Sequence, residues 1–287
     1  MRRACILRQL GRCADHPPVL SPSRCGSEAA PWSRPLRRGL AGALHSQRRS
    51  LSQSYARKES WSITPPQAPS VHPHPHHDAA FDALPLPEQL RSVMRLLAHS
   101  VVVCTSAAAT PDSSAPVPRG MTMSSFTSLS LRPTPLVTFN IATPSRTLDA
   151  VSRSRQFNIH VLSGDVAGAR VAEWFRKGNA DDLGVFEADK LRDECGCEVV
   201  AAETSGEVAA PLLKGPGVLF ALRCSLLGDE PARGLVRVRD HVIVLAEIVD
   251  IIEGEGEGGK SDPGPFGLAY ADRLYRQLGS TMALVED

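Results

Sequence analysis

The chain has 287 residues, 42% of them hydrophobic, which is enough for a sizeable core, and its formal net charge is only +1. That near-neutrality hides a split: residues 1–60 hold twelve Lys/Arg against three acids (Asp15, Glu28, Glu59), so the remainder holds twenty against twenty-eight, a balance of −8. An acidic body argues against nucleic acid as the main partner, and no apolar run reaches the roughly eighteen residues that a membrane-spanning helix needs.

Residues 1–55 are rich in Arg and Ser, from Arg2-Arg3 to Arg48-Arg49, and nearly free of acids. That is the composition of a mitochondrial transit peptide cleaved around Ser50 to Tyr55, with the matrix as destination. The alternative is a basic tail without an address. Cys5, Cys13 and Cys25 would leave with the leader; Cys104, Cys195, Cys197 and Cys224 remain, scattered, and suit a reducing compartment better than a disulfide framework. Residues 56–86 form a Pro/His-rich linker. Its His72, His74, His76 and His77 could ligate a metal, but the prolines between them hold the tract extended, which favours a solvated linker over a closed cage.

A folded domain is expected over 87–287, with its core at 87–252 and a Gly/Glu connector at 253–262. Glu88 to Ala98 has apolar residues at helical spacing, and Ser100 to Ala107 is a β-branched strand. Pro111 to Pro118 reads as a loop, followed by strands at 119–130 and 135–141 and a helix from about Ser145 to Ser154. Gln156 to Ser163 alternates as a strand in which His160 is a packed or rim residue. Val166 to Lys177 is helical, with Trp174 in the core, and Asn179 to Asp193 is polar and irregular. Val218 to Leu227 and His241 to Ile252 are further strands. Cys195-Gly-Cys197 has no further ligands nearby and reads as structural, so no metal site is expected. Gly254 to Gly259 (GEGEGG) reads as an acidic connector, since its carboxylates would repel a pyrophosphate. Residues 263–287 close the chain with an aromatic-basic segment. Many short strands and few helices suggest a barrel or sandwich.

The informative stretch is Arg119 to Thr147, RGMTMSSFTSLSLRPTPLVTFNIATPSRT. A hydroxyl-lined strand lies beside a strand-to-helix corner, and unpaired N–H groups and the dipole at a helix start favour an anion. Ser145, Arg146 and Thr147 could offer two hydroxyls and a guanidinium to a phosphate; equally, Ser145 could be an N-cap beside a surface arginine.

This stretch resembles the flavin reductase-like family of FMN-binding split barrels, which carry RG-x-T-x-x-SF-x-S-x-S and then PP-x-V-x-F-N-x-x-x-x-S-x-T. The matching residues are Arg119-Gly120, Thr122, Ser125-Phe126, Ser128, Ser130, Pro135, Val137, Phe139-Asn140, Ser145 and Thr147; Thr134 stands for the first Pro of the pair. The resemblance implies a mainly β, antiparallel Greek-key split barrel of roughly six strands with flanking helices, homodimeric, with FMN (or FAD) near the dimer interface. Arg119, Gly120, Thr122, Ser124 and Ser125 would then meet the isoalloxazine and ribityl chain, Asn140 and Ile141 its other side, and Ser145, Arg146 and Thr147 the phosphate. Gly120 would allow close backbone approach, and Phe175 could near the flavin.

By the same resemblance His241, Tyr270 and Arg273 belong to the NAD(P)H side. Arg239-Asp240-His241 replaces the family's Gly-Asp-His, and the tail lacks a customary Gly. The implied activity is hydride transfer from NADH or NADPH to flavin N5, which needs no catalytic nucleophile, with reduced flavin handed to a monooxygenase or used in place. The rivals are a non-catalytic flavin carrier and a structural barrel without cofactor.

Overall fold

A computed structural model describes residues 79–110, 113–177, 184–200, 209–255 and 266–279. The chain divides into Met1–Arg57 and Lys58–Asp287, and every described residue belongs to the second unit. The basic leader, the histidine linker and most of the Gly/Glu connector lie outside the described residues.

Two helices open the described part, α1 (Ala79–Asp82) and α2 (Leu86–Met94). Thirteen strands and three more helices follow among the described residues: β1 (His99–Ser100), β2 (Val102–Thr110), β3 (Ser113–Met123), β4 (Thr127–Ser130), β5 (Leu136–Ala142), α3 (Arg146–Ser154), β6 (Gln156–Leu162), α4 (Val166–Arg176), α5 (Ala188–Cys195), β7 (Glu198–Val200), β8 (Leu212–Lys214), β9 (Val218–Leu226), β10 (Leu235–Val238), β11 (His241–Glu253), β12 (Ala269–Ala271) and β13 (Leu274–Arg276). The principal sheet is antiparallel throughout, in the order β3-β2-β6-β9-β11-β5-β4, with β10 also paired to β11. This is the mainly β, antiparallel architecture with few helices that the sequence leads one to expect. Among the described residues no ladder joins β3 to β4 or β5 to close the path.

Apolar residues on alternate sides of the central strands build two cores. Val102 and Cys104 of β2 join Phe139, Ile141, Phe157, Ile159 and Val244 in the first, which α3 closes with Leu148 and Val151. Val101 and Val103 point the other way, into a second core with Val171 and Phe175 of α4 and Leu191 of α5. A strand buried on both faces needs a continuous apolar run, which explains the run Val101 to Cys104 that leads into β2.

Four expectations are corrected. The loop foreseen at Pro111 to Pro118 is mostly strand: β3 starts at Ser113 and pairs with β2 through Pro118 and Val117. It is the outermost strand of the path, where prolines lacking an N–H are tolerated. The strand foreseen at 119–130 is broken at Ser124 to Phe126 into β3 and β4. The segment foreseen as irregular at 179–193 turns helical at Ala188, where α5 begins, and that helix runs on to Cys195 and is capped by Gly196 in the left-handed conformation (φ 69°). The strand count is also larger than six, partly because the short β10 forms a hairpin with β11.

Candidate functional site

Strand β5 ends at Ala142, and Thr143 to Ser145 turn the chain into α3. Ser145 has extended backbone (φ −146°, ψ 119°) and its Oγ accepts from the Leu148 N–H at 3.2 Å, so it is the N-cap. Arg146 follows it, exposed, while Thr147 is only 4% exposed. The helix has to bury Thr147, Leu148, Ala150 and Val151 together, and this face takes the threonine inward. All three residues foreseen at a phosphate therefore lie at the helix mouth, but only Ser145 and Arg146 keep their side chains there, that of Thr147 being turned inward.

The break between β3 and β4 is held against β5. Ser125 Oγ donates to the Asn140 carbonyl at 3.2 Å and accepts the Asn140 N–H at 3.1 Å. Ser124 and the Asn140 side chain are exposed at this junction, whereas Ile141 points into the first core. Upstream on β3, Thr122 Oγ1 donates to the Ala172 carbonyl of α4 at 2.6 Å. Gly120 lies under Phe175 and Phe186, where a Cβ would meet Phe175 Cδ1 at 2.8 Å. The closeness that Gly120 permits is thus to aromatic rings, and Phe175 is core, fully buried. Half-buried Trp174 donates its indole N–H to the Val185 carbonyl at 3.0 Å.

The β10–β11 hairpin brings a third group to the end of β5. Val238 pairs with His241, and Arg239 in the two-residue turn has φ 53°. The Asp240 carbonyl accepts the Thr143 N–H at 2.7 Å and the Thr143 hydroxyl at 3.0 Å. His241 pairs across the sheet with Ala142, and its Nδ1 lies 3.0 Å from Asp240 Oδ1. That hydrogen bond holds the exposed Asp240 carboxyl below the usual carboxylate range.

Tyr270 and Arg273 lie on a different sheet, β1-β12-β13. Tyr270 pairs with His99 and stacks edge-on against Tyr275, ring centroids 5.7 Å apart, and the Tyr275 hydroxyl donates to Glu173 of α4 at 3.4 Å. Burial pushes the Tyr275 phenol upward, and the Arg176 hydrogen bond holds Glu173 down. Asp272 and Arg273 form the hairpin turn with φ 48° and 62°. The two cysteines of Cys195-Gly-Cys197 are buried in the second core, Cys195 donating to the Leu191 carbonyl.

Sequence reasoning named Arg119 and Arg146 for a flavin, but missed Asp149 and Arg153 and the fact that the four come together beside α3. Arg119, Arg146, Asp149 and Arg153 line a cavity of about 160 Å³ with Ala108, Val117 and Ala150. The spacing of Arg146, Asp149 and Arg153 on one helix face was readable in the sequence; the arrival of Arg119 from β3 was not. A larger cavity, about 530 Å³, lies over Phe157, Asn158 and Cys224, but its cation, Arg223, is already paired with Asp250 at 3.5 Å.

The fold and this corner define a small antiparallel β domain with a helix mouth and a basic cavity suited to a phosphorylated ligand. The chain belongs to the flavin reductase like domain family, whose model matches residues 94–279. It is similar to the NADH:FAD oxidoreductase SgcE6 of Streptomyces globisporus C-1027, at 23% identity and TM-score 0.50 over 75% of this chain and 100% of that one. A flavin reductase domain protein from Arthrobacter sp. FB24 matches at 22% identity and TM-score 0.50 over 70% of this chain and 100% of its own. A nitrilotriacetate monooxygenase component B homolog from Mycobacterium thermoresistibile matches at 20% identity and TM-score 0.50, over 73% and 96% of the two chains. These likenesses bear on the fold.

Proposed function

We propose that the chain is a flavin reductase that takes hydride from NADH or NADPH onto a bound flavin, FMN or FAD. When bound, a flavin would supply the two-electron acceptor for hydride from the nicotinamide. The observation that carries this reading is the meeting of three segments at the end of β5: the Ser125 corner, the Asp240–His241 turn and the capped start of α3. Family membership says what such a meeting would serve.

In this reading the first-turn N–H groups of α3, the Ser145 hydroxyl and Arg146 hold the terminal phosphate. The main chain around Ser124, Ser125 and Asn140 offers donors and acceptors along the ring edge. Thr122 and Ile141 take part through their backbone, their side chains being committed to α4 and to the first core. Asp240 orients His241, whose Nε2 is left for a nicotinamide or flavin edge. Tyr270 and Arg273 are assigned to the nicotinamide side on resemblance. The work of the chain is positioning and exclusion of water.

The wider proposal keeps a transit peptide at 1–55, a linker at 56–86, the mitochondrial matrix as location, a homodimer, and a monooxygenase as consumer of reduced flavin. The name of the Mycobacterium protein supports the last point. Support for the dimer comes from α2, whose Leu86, Leu90, Val93 and Met94 are all exposed.

The test is to purify the full chain, release and identify any flavin by chromatography, and follow oxidation of NADH and NADPH. A colourless protein that takes up neither FMN nor FAD refutes the proposal. A yellow protein that oxidises neither nicotinamide is a flavin carrier.

A further inference from the structure

Thr143 stands just past the end of β5 and gives both of its donors to one oxygen, the Asp240 carbonyl: the N–H at 2.7 Å and the hydroxyl at 3.0 Å. The ladder between β11 and β5 ends one step earlier, where His241 faces Ala142. The N–H bond continues that ladder, and any residue except proline has the group to make it. The hydroxyl bond is what threonine adds, taking the second lone pair of the same carbonyl oxygen. That carbonyl belongs to the peptide unit shared with His241, so two donors on it fix the plane from which the imidazole projects.

Packing does little to hold the turn that carries this peptide. Arg237 to His241 are all exposed, and among the described strands β10 pairs with β11 alone. The end of a hairpin with few buried contacts opens at low free energy unless hydrogen bonds restrain it. Asp240 is where the restraint meets the chemistry. Its carbonyl accepts from Thr143, and its carboxylate Oδ1 lies 3.0 Å from His241 Nδ1. In the other direction along the chain, Ser145 stands two positions after Thr143 and caps α3. Thr143 therefore joins the turn that bears His241 to the corner that opens α3, and its half-buried hydroxyl is committed to that join.

We propose that Thr143 is a positioning residue for hydride transfer: its hydroxyl fixes the Asp240–His241 turn against the corner that opens α3, so that the imidazole keeps its place relative to the flavin. A displacement of about 1 Å at a reacting centre can cost about a hundredfold in rate, which is why one hydroxyl on a backbone carbonyl matters here. The inference deepens the flavin reductase reading and rests on it for the reaction, while the restraint itself is measured without flavin or nicotinamide.

The experiment compares the full chain with Thr143→Val, which keeps the side-chain shape and the N–H, and with Thr143→Ser, which keeps a hydroxyl, after circular dichroism has shown the three equally folded. In the first arm NMR order parameters of the Asp240 and His241 amides are measured with no ligand present. They lie near roughly 0.85 in the parent and in Thr143→Ser and fall below about 0.6 in Thr143→Val. In the second arm kcat and KM for NADH and NADPH, and Kd for FMN and FAD, are measured in all three proteins. In Thr143→Val kcat falls about tenfold while flavin Kd stays within about twofold of the parent value, and Thr143→Ser recovers the rate. Equal order parameters in the parent and Thr143→Val overturn the proposal. So does a loosened turn with kcat within about twofold of the parent, which makes the bond structural only. A loss of flavin affinity that matches the loss of kcat also overturns it, by placing Thr143 in the flavin site itself. If the parent neither binds flavin nor oxidises a nicotinamide, the flavin reductase reading fails and the first arm decides: loosening in Thr143→Val that serine reverses sustains the restraint, and equal values overturn it.

Discussion

Gly120 and Phe175 are in contact so close that no side chain fits between them: a Cβ on Gly120 would come within 2.8 Å of Phe175 Cδ1 and 2.9 Å of Cε1. Phe175 is fully buried in the second core and cannot swing away. Gly120→Ala is therefore expected to destabilise the fold by about 1–3 kcal/mol through overpacking. Chemical denaturation of the single variants and of Gly120→Ala with Phe175→Leu measures it. The double change should cost less than the sum of the two, because the smaller side chain makes room for the methyl group. Strict additivity would mean that the two residues do not touch in solution.

At Ser145 capping and ligand binding can be separated. Ser145→Ala removes the bond to the Leu148 N–H and should cost about 1 kcal/mol. Ser145→Asp keeps a capping oxygen and suits the helix dipole, so stability should stay within about 0.5 kcal/mol of the parent. Its carboxylate, however, repels a phosphate, and flavin affinity should fall by about tenfold or more. Flavin titration by fluorescence quenching gives the answer. An Asp variant that binds flavin as tightly as the parent chain would move the phosphate away from this helix.

Much of this arrangement was legible because it is local. The apolar alternation of β5, β6 and β11, the Ser145 cap and the helix behind it are each contained in about ten consecutive residues. What was not legible depends on partners distant in sequence. Thr122 has the look of a ligand-facing hydroxyl until Ala172, fifty positions on, takes its hydrogen bond. Thr147 seemed a phosphate donor, yet only the packing of α3 on the sheet shows that its face turns inward. Pro116 and Pro118 argued for a loop, and the outermost position of β3, a property of the whole sheet, is what lets them sit in a strand. Arg119 and Arg153 are thirty-four positions apart, and no spacing rule links a strand residue to a helix residue across that gap.

The turn at Arg239 offers a gain in stability. Arg239 has φ 53°, a left-handed conformation that costs a non-glycine residue about 1–2 kcal/mol. Arg239→Gly should relieve it and, after the entropy cost of glycine, raise stability by up to about 1 kcal/mol. Denaturant midpoints of the two proteins check this. A lower midpoint in the variant would mean that the arginine side chain contributes more than its backbone costs. The same reasoning applies to Arg273 at φ 62°.

His160 makes the fold sensitive to acid. Its Nε2 accepts the Leu213 N–H at 2.9 Å, so the proton sits on Nδ1, which faces the Val103 carbonyl at 3.2 Å. The neutral ring is satisfied at both nitrogens and ties β6, β2 and β8 together. A second proton would set an N–H against the Leu213 N–H, in a position fully buried from solvent. Burial accordingly lowers the pKa from 6.5 to about 4. The unfolded chain takes up the proton near 6.5, whereas the folded chain resists it until about 4. The contribution to stability is therefore complete above pH 6.5 and is lost as pH falls from there toward 4, about 3 kcal/mol in all. His160→Gln can reproduce both hydrogen bonds without titrating. Unfolding free energies of the two proteins, measured between these pH values, should draw together as the solution is acidified. Parallel pH profiles would mean that the imidazole is reached by solvent and titrates normally.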